Sequence, residues 1–141
     1  MTSAGDDYTE DALVEQPAAE LLDALGWEMI NTYREDFGEG GTLGRTTRAE
    51  VVLRPRLRRA LHRLNPDLPD EALRLAEDEL TRDRTGTLSL VQANRAIYEL
   101  LRGGVPVTYQ DPDEGEVTRT VGVIDWNDPR EGNDFLAVRQ F

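Results

Sequence analysis

This chain of 141 residues has no cysteine, and none of its 16 basic residues is lysine. The first absence removes disulfides, thiolate metal sites and cysteine nucleophiles. The second removes any mechanism that needs an ammonium group, because arginine cannot take that part. There is one histidine, His62. A lone histidine forms neither a metal cluster nor a proton relay, so His62 is assigned no role. No apolar run approaches the ~20 residues that a membrane helix needs. The opening stretch MTSAGDDYTED lacks the basic start and apolar centre of a secretory signal. These features point to a cytoplasmic protein. A phosphate-binding glycine loop is absent too: FGEGGTLGR fits neither G-x-G-x-x-G nor G-x-x-x-x-G-K-[ST].

Acid is abundant. Twenty-eight carboxylates give a net charge of −12. Such a field repels nucleic acid at long range, but it leaves room for a local basic surface. Hydrophobic residues make up 38% of the chain, too many for a disordered polymer. A chain of this length buries roughly 70% of its unfolded surface. The expectation is one folded region over residues 8–141 behind a disordered stretch at 1–7.

Periodicity divides the chain. Val14, Ala18, Leu21 and Leu25 share one helical face, predicting a first helix from Thr9 to Leu25 with Thr9 as N-cap and Gly26 past its end. Pro17 sits awkwardly inside it. GWEMIN follows as a strand, then a flexible glycine-rich loop, REDFGEGGTLGR. A second helix is expected from Thr46 or Thr47 to Leu64, on a stripe of Leu53, Leu57, Leu61 and Leu64, with a kink or restart at Pro55. A third opens with Pro69 at its first position and turns Leu73, Ala76 and Leu80 inward. Ser89 caps a fourth, with a stripe of Leu90, Asn94, Ile97 and Leu101, and Gly103-Gly104 stop it. VPVTY and EVTRTVGVID form a hairpin around DPDEG. A final strand, NDFLAVRQF, ends the chain. The pattern is α/β or α+β, with helices on a mixed sheet. The closing strand is expected to lie inside that sheet, its open side covered by residues beyond Phe141.

Few residues offer chemistry. RPRLRRALHR concentrates Arg54, Arg56, Arg58, Arg59 and Arg63. Arg56, Arg59 and Arg63 lie opposite the leucine stripe, either as a contact surface for phosphates or an acidic partner or as a solvated face. Glu15 borders the apolar stripe of the first helix, where a carboxylate could flank a divalent cation. Asp125 closes the strand VGVID, a position that serves metal-dependent nucleases and also ordinary turns. Asn94, polar among apolar positions, is expected to satisfy a nearby loop backbone.

Five blocks in order, EQPAAELLDALGWE, EVVLRPRLRRALHRLNPDLP, ANRAIYELLRGGVPVTY, VGVIDWNDP and NDFLAVRQF, resemble the N-terminal segment of the restriction (R) subunit of type I restriction–modification enzymes. The resemblance covers Tyr8 to Phe141. It implies part of a restriction-endonuclease-like fold of the PD-(D/E)xK type, a magnesium-dependent nuclease that cuts duplex DNA. It also implies a parent protein with an ATP-hydrolysing motor, working with methyltransferase and specificity subunits. In that family the metal-binding aspartate and the Glu-x-Lys pair lie on strands after the segment matching NDFLAVRQF. The resemblance thus makes this chain the front of a nuclease domain, ending before its catalytic strands and inactive alone. It places Glu15 on a first-helix glutamate that flanks the metal site. The alternative is a stand-alone, non-catalytic module that docks on a protein partner or on DNA.

Overall fold

The computed structural model describes residues 11–141. The expected disorder at 1–7 and the Thr9 cap lie outside the described residues. The chain divides into two compact units, one running to Glu50 and including Asp134–Phe141, the other Val51–Asn133.

In the first unit a π-helical turn, Asp11–Glu15, leads into helix α1, Gln16–Ala24. Pro17 therefore falls in the first α-helical turn, where its missing N–H costs nothing. α1 ends as expected. Gly26, at φ 91°, donates to Asp23 O (2.9 Å), and Trp27 N donates to Leu22 O (3.0 Å), the paired bonds of a Schellman motif. The predicted apolar stripe is not the covered face. Val14, Leu21 and Leu25 are 62%, 62% and 67% exposed, and no residue of α1 is fully buried. The half-buried positions are Glu15, Ala19 and Leu22, the face next to the stripe.

Strand β1, Glu28–Asn31, pairs in parallel with the closing strand β4, Leu136–Arg139, Met29 opposite Ala137 and Ile30 opposite Val138. The Trp27 and Phe135 rings pack at the start of this ladder, centroids 5.0 Å apart. Buried Thr32 locks its end, with the hydroxyl 2.9 Å from Arg139 O and 2.6 Å from Gln140 O.

The glycine-rich loop has a firm centre. Arg45, 1% exposed, donates to Glu35 through Nε (2.7 Å) and Nη2 (2.6 Å), and through Nη1 to the carbonyls of Arg48 and Glu50. Its guanidinium also lies 4.0 Å from the centre of the Phe141 ring.

The second unit holds α2 (Arg54–Leu64), α3 (Asp70–Thr81), α4 (Leu90–Gly103), β2 (Val105–Asp111) and β3 (Gly115–Val121). α2 starts well after Thr46 or Thr47. Pro55 belongs to its first turn, and Leu53 before it has the non-helical φ/ψ of a cap. Pro69 is extended and serves as the N-cap of α3, one position before the expected one. Ser89 makes a full capping box with Gln92, the two bonds measuring 3.2 and 3.1 Å. The buried side of α4 is Ala93, with Ile97 and Leu100 half-buried. Leu90 is 68% exposed. Asn94 is also exposed, and its side chain makes no hydrogen bond among the described residues, which corrects its expected role.

β2 and β3 form the expected antiparallel hairpin, Val105 opposite Val121 and Tyr109 opposite Val117. Asp111 Oδ1 accepts from the backbone N–H groups of Asp113 (2.8 Å) and Glu114 (2.9 Å), which sets the turn. Gly104, at φ 86°, lets the end of α4 approach this hairpin. A Cβ there would stand 2.6 Å from Thr120 Cγ2 and 2.9 Å from Val121 O. Leu61, Ala72, Leu73, Ala76, Val105, Val107, Tyr109 and Val121 make the core. The fold is mixed α/β, and among the described residues the strands form two two-stranded ladders instead of one sheet.

Candidate functional site

Glu15 stands on the covered side of the first helix and faces the end of β4. Its Oε1 accepts from Arg139 Nε (3.3 Å), and Gln140 Nε2 lies 3.2 and 3.1 Å from its two oxygens. The Glu15 side chain is 28% exposed. It is positioned by a guanidinium and an amide, not by other carboxylates. Among the described residues no group of three or more His, Cys, Asp or Glu side chains could hold a metal ion. One glutamate already engaged by an arginine does not make a magnesium site, so these residues alone do not fit the ion that the resemblance implies.

The arginine-rich helix splits into two sets. Arg54 and Arg58 serve the interior of their own unit. Arg58 grips Glu77 with Nε (2.8 Å) and Nη2 (3.0 Å), and Arg54 Nη1 adds a third bond at 2.9 Å. Glu77 is buried on α3, 5% exposed. The Arg58 hydrogen bond, with help from Arg54, holds its carboxyl below the usual range against the opposing cost of burial. Arg59 and Arg63 point to solvent, and Arg56 is half-buried. Arg63 Nη2 donates to Gly132 O (3.3 Å). Arg56, Arg59 and Arg63 therefore do not form one uniform open face. Glu77 was legible in principle: it follows Leu73 by one helical repeat and so belongs to the inward side of α3.

Asp125 does not end a strand, because β3 stops at Val121. Its Oδ1 accepts from the N–H groups of Asn127 and Asp128, both at 2.9 Å. Asn133 clasps its backbone on both sides, with Oδ1 accepting from Asp125 N (2.8 Å) and Nδ2 donating to Asp125 O (2.9 Å). This is turn chemistry. His62 Nε2 lies 3.8 Å from Asp70 Oδ1 on open surface. No described helix is long and apolar enough to cross a membrane.

The blocks along the chain and its mixed α/β elements agree with one class, that of type I restriction R subunits. Residues 7–141 match the family model of the type I restriction enzyme R protein N terminus, and the chain belongs to that family. A relative is the type I restriction enzyme HindI endonuclease subunit of Haemophilus influenzae, 35% identical over 130 residues. The alignment covers 90% of this chain and 12% of that relative. No solved structure matches.

Proposed function

We propose that this chain supplies the front of the nuclease domain of a type I restriction R subunit, and that the 141 residues do not cleave DNA by themselves. The match over residues 7–141 carries the reading. The composition supports the second part. PD-(D/E)xK chemistry uses clustered carboxylates for the metal and a lysine near the attacking water. This chain has no lysine, and its described carboxylates do not converge.

In this reading magnesium and ATP enter with the rest of the parent protein, which acts on DNA in the cytoplasm together with methyltransferase and specificity subunits. Glu15 flanks the metal centre, and its bonds to Arg139 and Gln140 fix the carboxylate where neighbouring residues can use it. Arg59 and Arg63, with Arg56 beside them, contact DNA or a subunit of the complex. The test is a supercoiled-plasmid assay with magnesium. The 141-residue chain leaves the plasmid intact, whereas the full-length protein in its complex cuts unmodified DNA and loses activity with Glu15→Ala. Magnesium-dependent cutting by the 141 residues alone overturns the reading. The exposed Val14, Leu21 and Leu25 favour a second reading, a non-catalytic docking module. It gains if the full-length protein keeps its nuclease activity with Glu15→Ala.

A further inference from the structure

The outward side of α4 carries Val91, Arg95, Tyr98 and Arg102, spaced i, i+4, i+7 and i+11. They form one stripe opposite the core-facing Ala93 and Leu100. Val91 is 77% and Tyr98 57% exposed, and both arginines are exposed. Among the described residues the side chains of Arg95 and Arg102 make no hydrogen bond or ion pair. Glu99 lies on the flank of the stripe, four residues after one arginine and three before the other, and pairs with neither. At the C-terminal end of the helix Trp126 donates from Nε1 to Leu101 O (3.2 Å), and the residue stays 60% exposed.

Charge is unevenly shared. Val51–Asn133 has 12 arginines against 15 acidic residues, a balance of −3. The remaining residues have 4 against 13, or −9. The negative field that repels polyanions thus belongs mostly to the other unit. Within this near-neutral unit, many arginines are spent on internal contacts, such as Arg54 and Arg58 on Glu77 and Arg84 on Glu79. Arg95 and Arg102 are not.

We propose that this face of α4, with Trp126, binds a single-stranded stretch of nucleic acid. Arg95 and Arg102, about 10 Å apart along the helix axis, take backbone phosphates. Guanidinium geometry suits that contact. Tyr98, between them, and Trp126, at the helix end, offer open ring faces on which unpaired bases stack. Bases inside an intact duplex cannot reach those faces, so the pairing of cations with exposed rings selects strand over duplex.

The test uses the whole 141-residue chain and a fluorescein-labelled oligo-dT of about 16 nucleotides, the upper end of single-module site sizes. Anisotropy should show saturable binding that weakens as salt rises. Arg95→Ala with Arg102→Ala should lower the log–log salt slope by about 1.4, two phosphate contacts at roughly 0.7 each. Tyr98→Ala with Trp126→Ala should weaken binding about tenfold or more while leaving that slope unchanged. Arg74→Ala on α3, the same charge change as either single arginine substitution, should do neither. A blunt duplex of the same length should bind less tightly and ignore the ring substitutions. Circular dichroism melts check that each variant folds, and Tyr98→Ser or Arg→Gln replaces any that does not. No salt-sensitive binding by the parent chain overturns the proposal. So does an effect of Arg74→Ala equal to that of single Arg95→Ala, or ring substitutions without effect on oligo-dT. Displacement of the oligonucleotide by poly-glutamate as readily as by unlabelled oligo-dT reassigns the face to an acidic protein.

Discussion

Replacing Glu77 with glutamine keeps the shape of the side chain and removes its charge. The carboxylate is 5% exposed and receives three hydrogen bonds from two arginines. Glutamine retains one acceptor oxygen and turns an NH2 group toward a guanidinium that cannot accept. A hydrogen bond to a charged group contributes about 1.5–3 kcal/mol. The full sum does not apply, because the side chains of Arg54 and Arg58 are 45% and 59% exposed and rehydrate once released. The expected loss is about 1–3 kcal/mol at pH 7. For a cooperative unit of this size that is a fall in Tm of roughly 4–8 °C per kcal/mol.

The sign of the pH dependence follows from the lowered carboxyl pKa of Glu77. Its contribution is present above the unfolded value, about 4.3, and is lost as pH falls through the lower folded value. Urea melts at pH 7, 5 and 4, with a further one at pH 3 if the fold persists, measure the gap between the parent and Glu77→Gln. The gap should hold from pH 7 to 5 and close below that. A gap that is zero at pH 7, or that does not narrow in acid, refutes the assignment of Glu77 as the charged anchor between α2 and α3.

Leu61, 1% exposed and central to the core, should cost about 2–5 kcal/mol as alanine, read from denaturant midpoints. Ser89→Ala removes the capping box and should cost about 1 kcal/mol, whereas Ser89→Asp should hold stability near the parent value. Asn65 accepts from Gly122 N and donates to Gly122 O and Leu61 O, each at 2.8 Å, so Asn65→Ala should lose about 1–3 kcal/mol and speed amide exchange at Gly122. Arg45→Ala should speed amide exchange across the glycine-rich loop first and leave exchange in the β2–β3 hairpin unchanged.

Local chemistry was the legible part of the sequence. Ser89, Gly26 and the Gly103-Gly104 stop mark helix ends because backbone groups there need partners or a left-handed turn, and those needs are satisfied within a few residues. The β2–β3 hairpin was legible too, because the turn residues of DPDEG lie between two β-prone runs. Helix phase was harder to read. Along the leading helical stretch Val14, Leu21 and Leu25 read as a core stripe, yet the covered side runs through Glu15, Ala19 and Leu22. On α4 the small residue Ala93, not Leu90, faces the core. Apolarity says what a side chain tolerates, not which neighbour arrives to cover it. The late start of α2 came from backbone preference around Pro55, which overrides a plausible threonine cap upstream. The site was less legible still. Glu15 stood out by its place beside the apolar stripe, and only the family resemblance attached an expected role to it. The pairing of Arg54 and Arg58 with Glu77 joins residues some twenty positions apart and has no local signature. Asp125 looked strand-terminal because VGVID is β-branched, but Asn65 and Asn133 hold that segment off the ladder through their side-chain amides.

The two tryptophans fall one to each unit: Trp27 against Phe135 in the first, Trp126 at the end of α4 in the second. Nature has thus given each half of the polypeptide its own optical probe. With Trp27→Phe or Trp126→Phe, emission in rising denaturant reports one half at a time. Midpoints that coincide would mean the halves melt as one, and midpoints that separate would rank them.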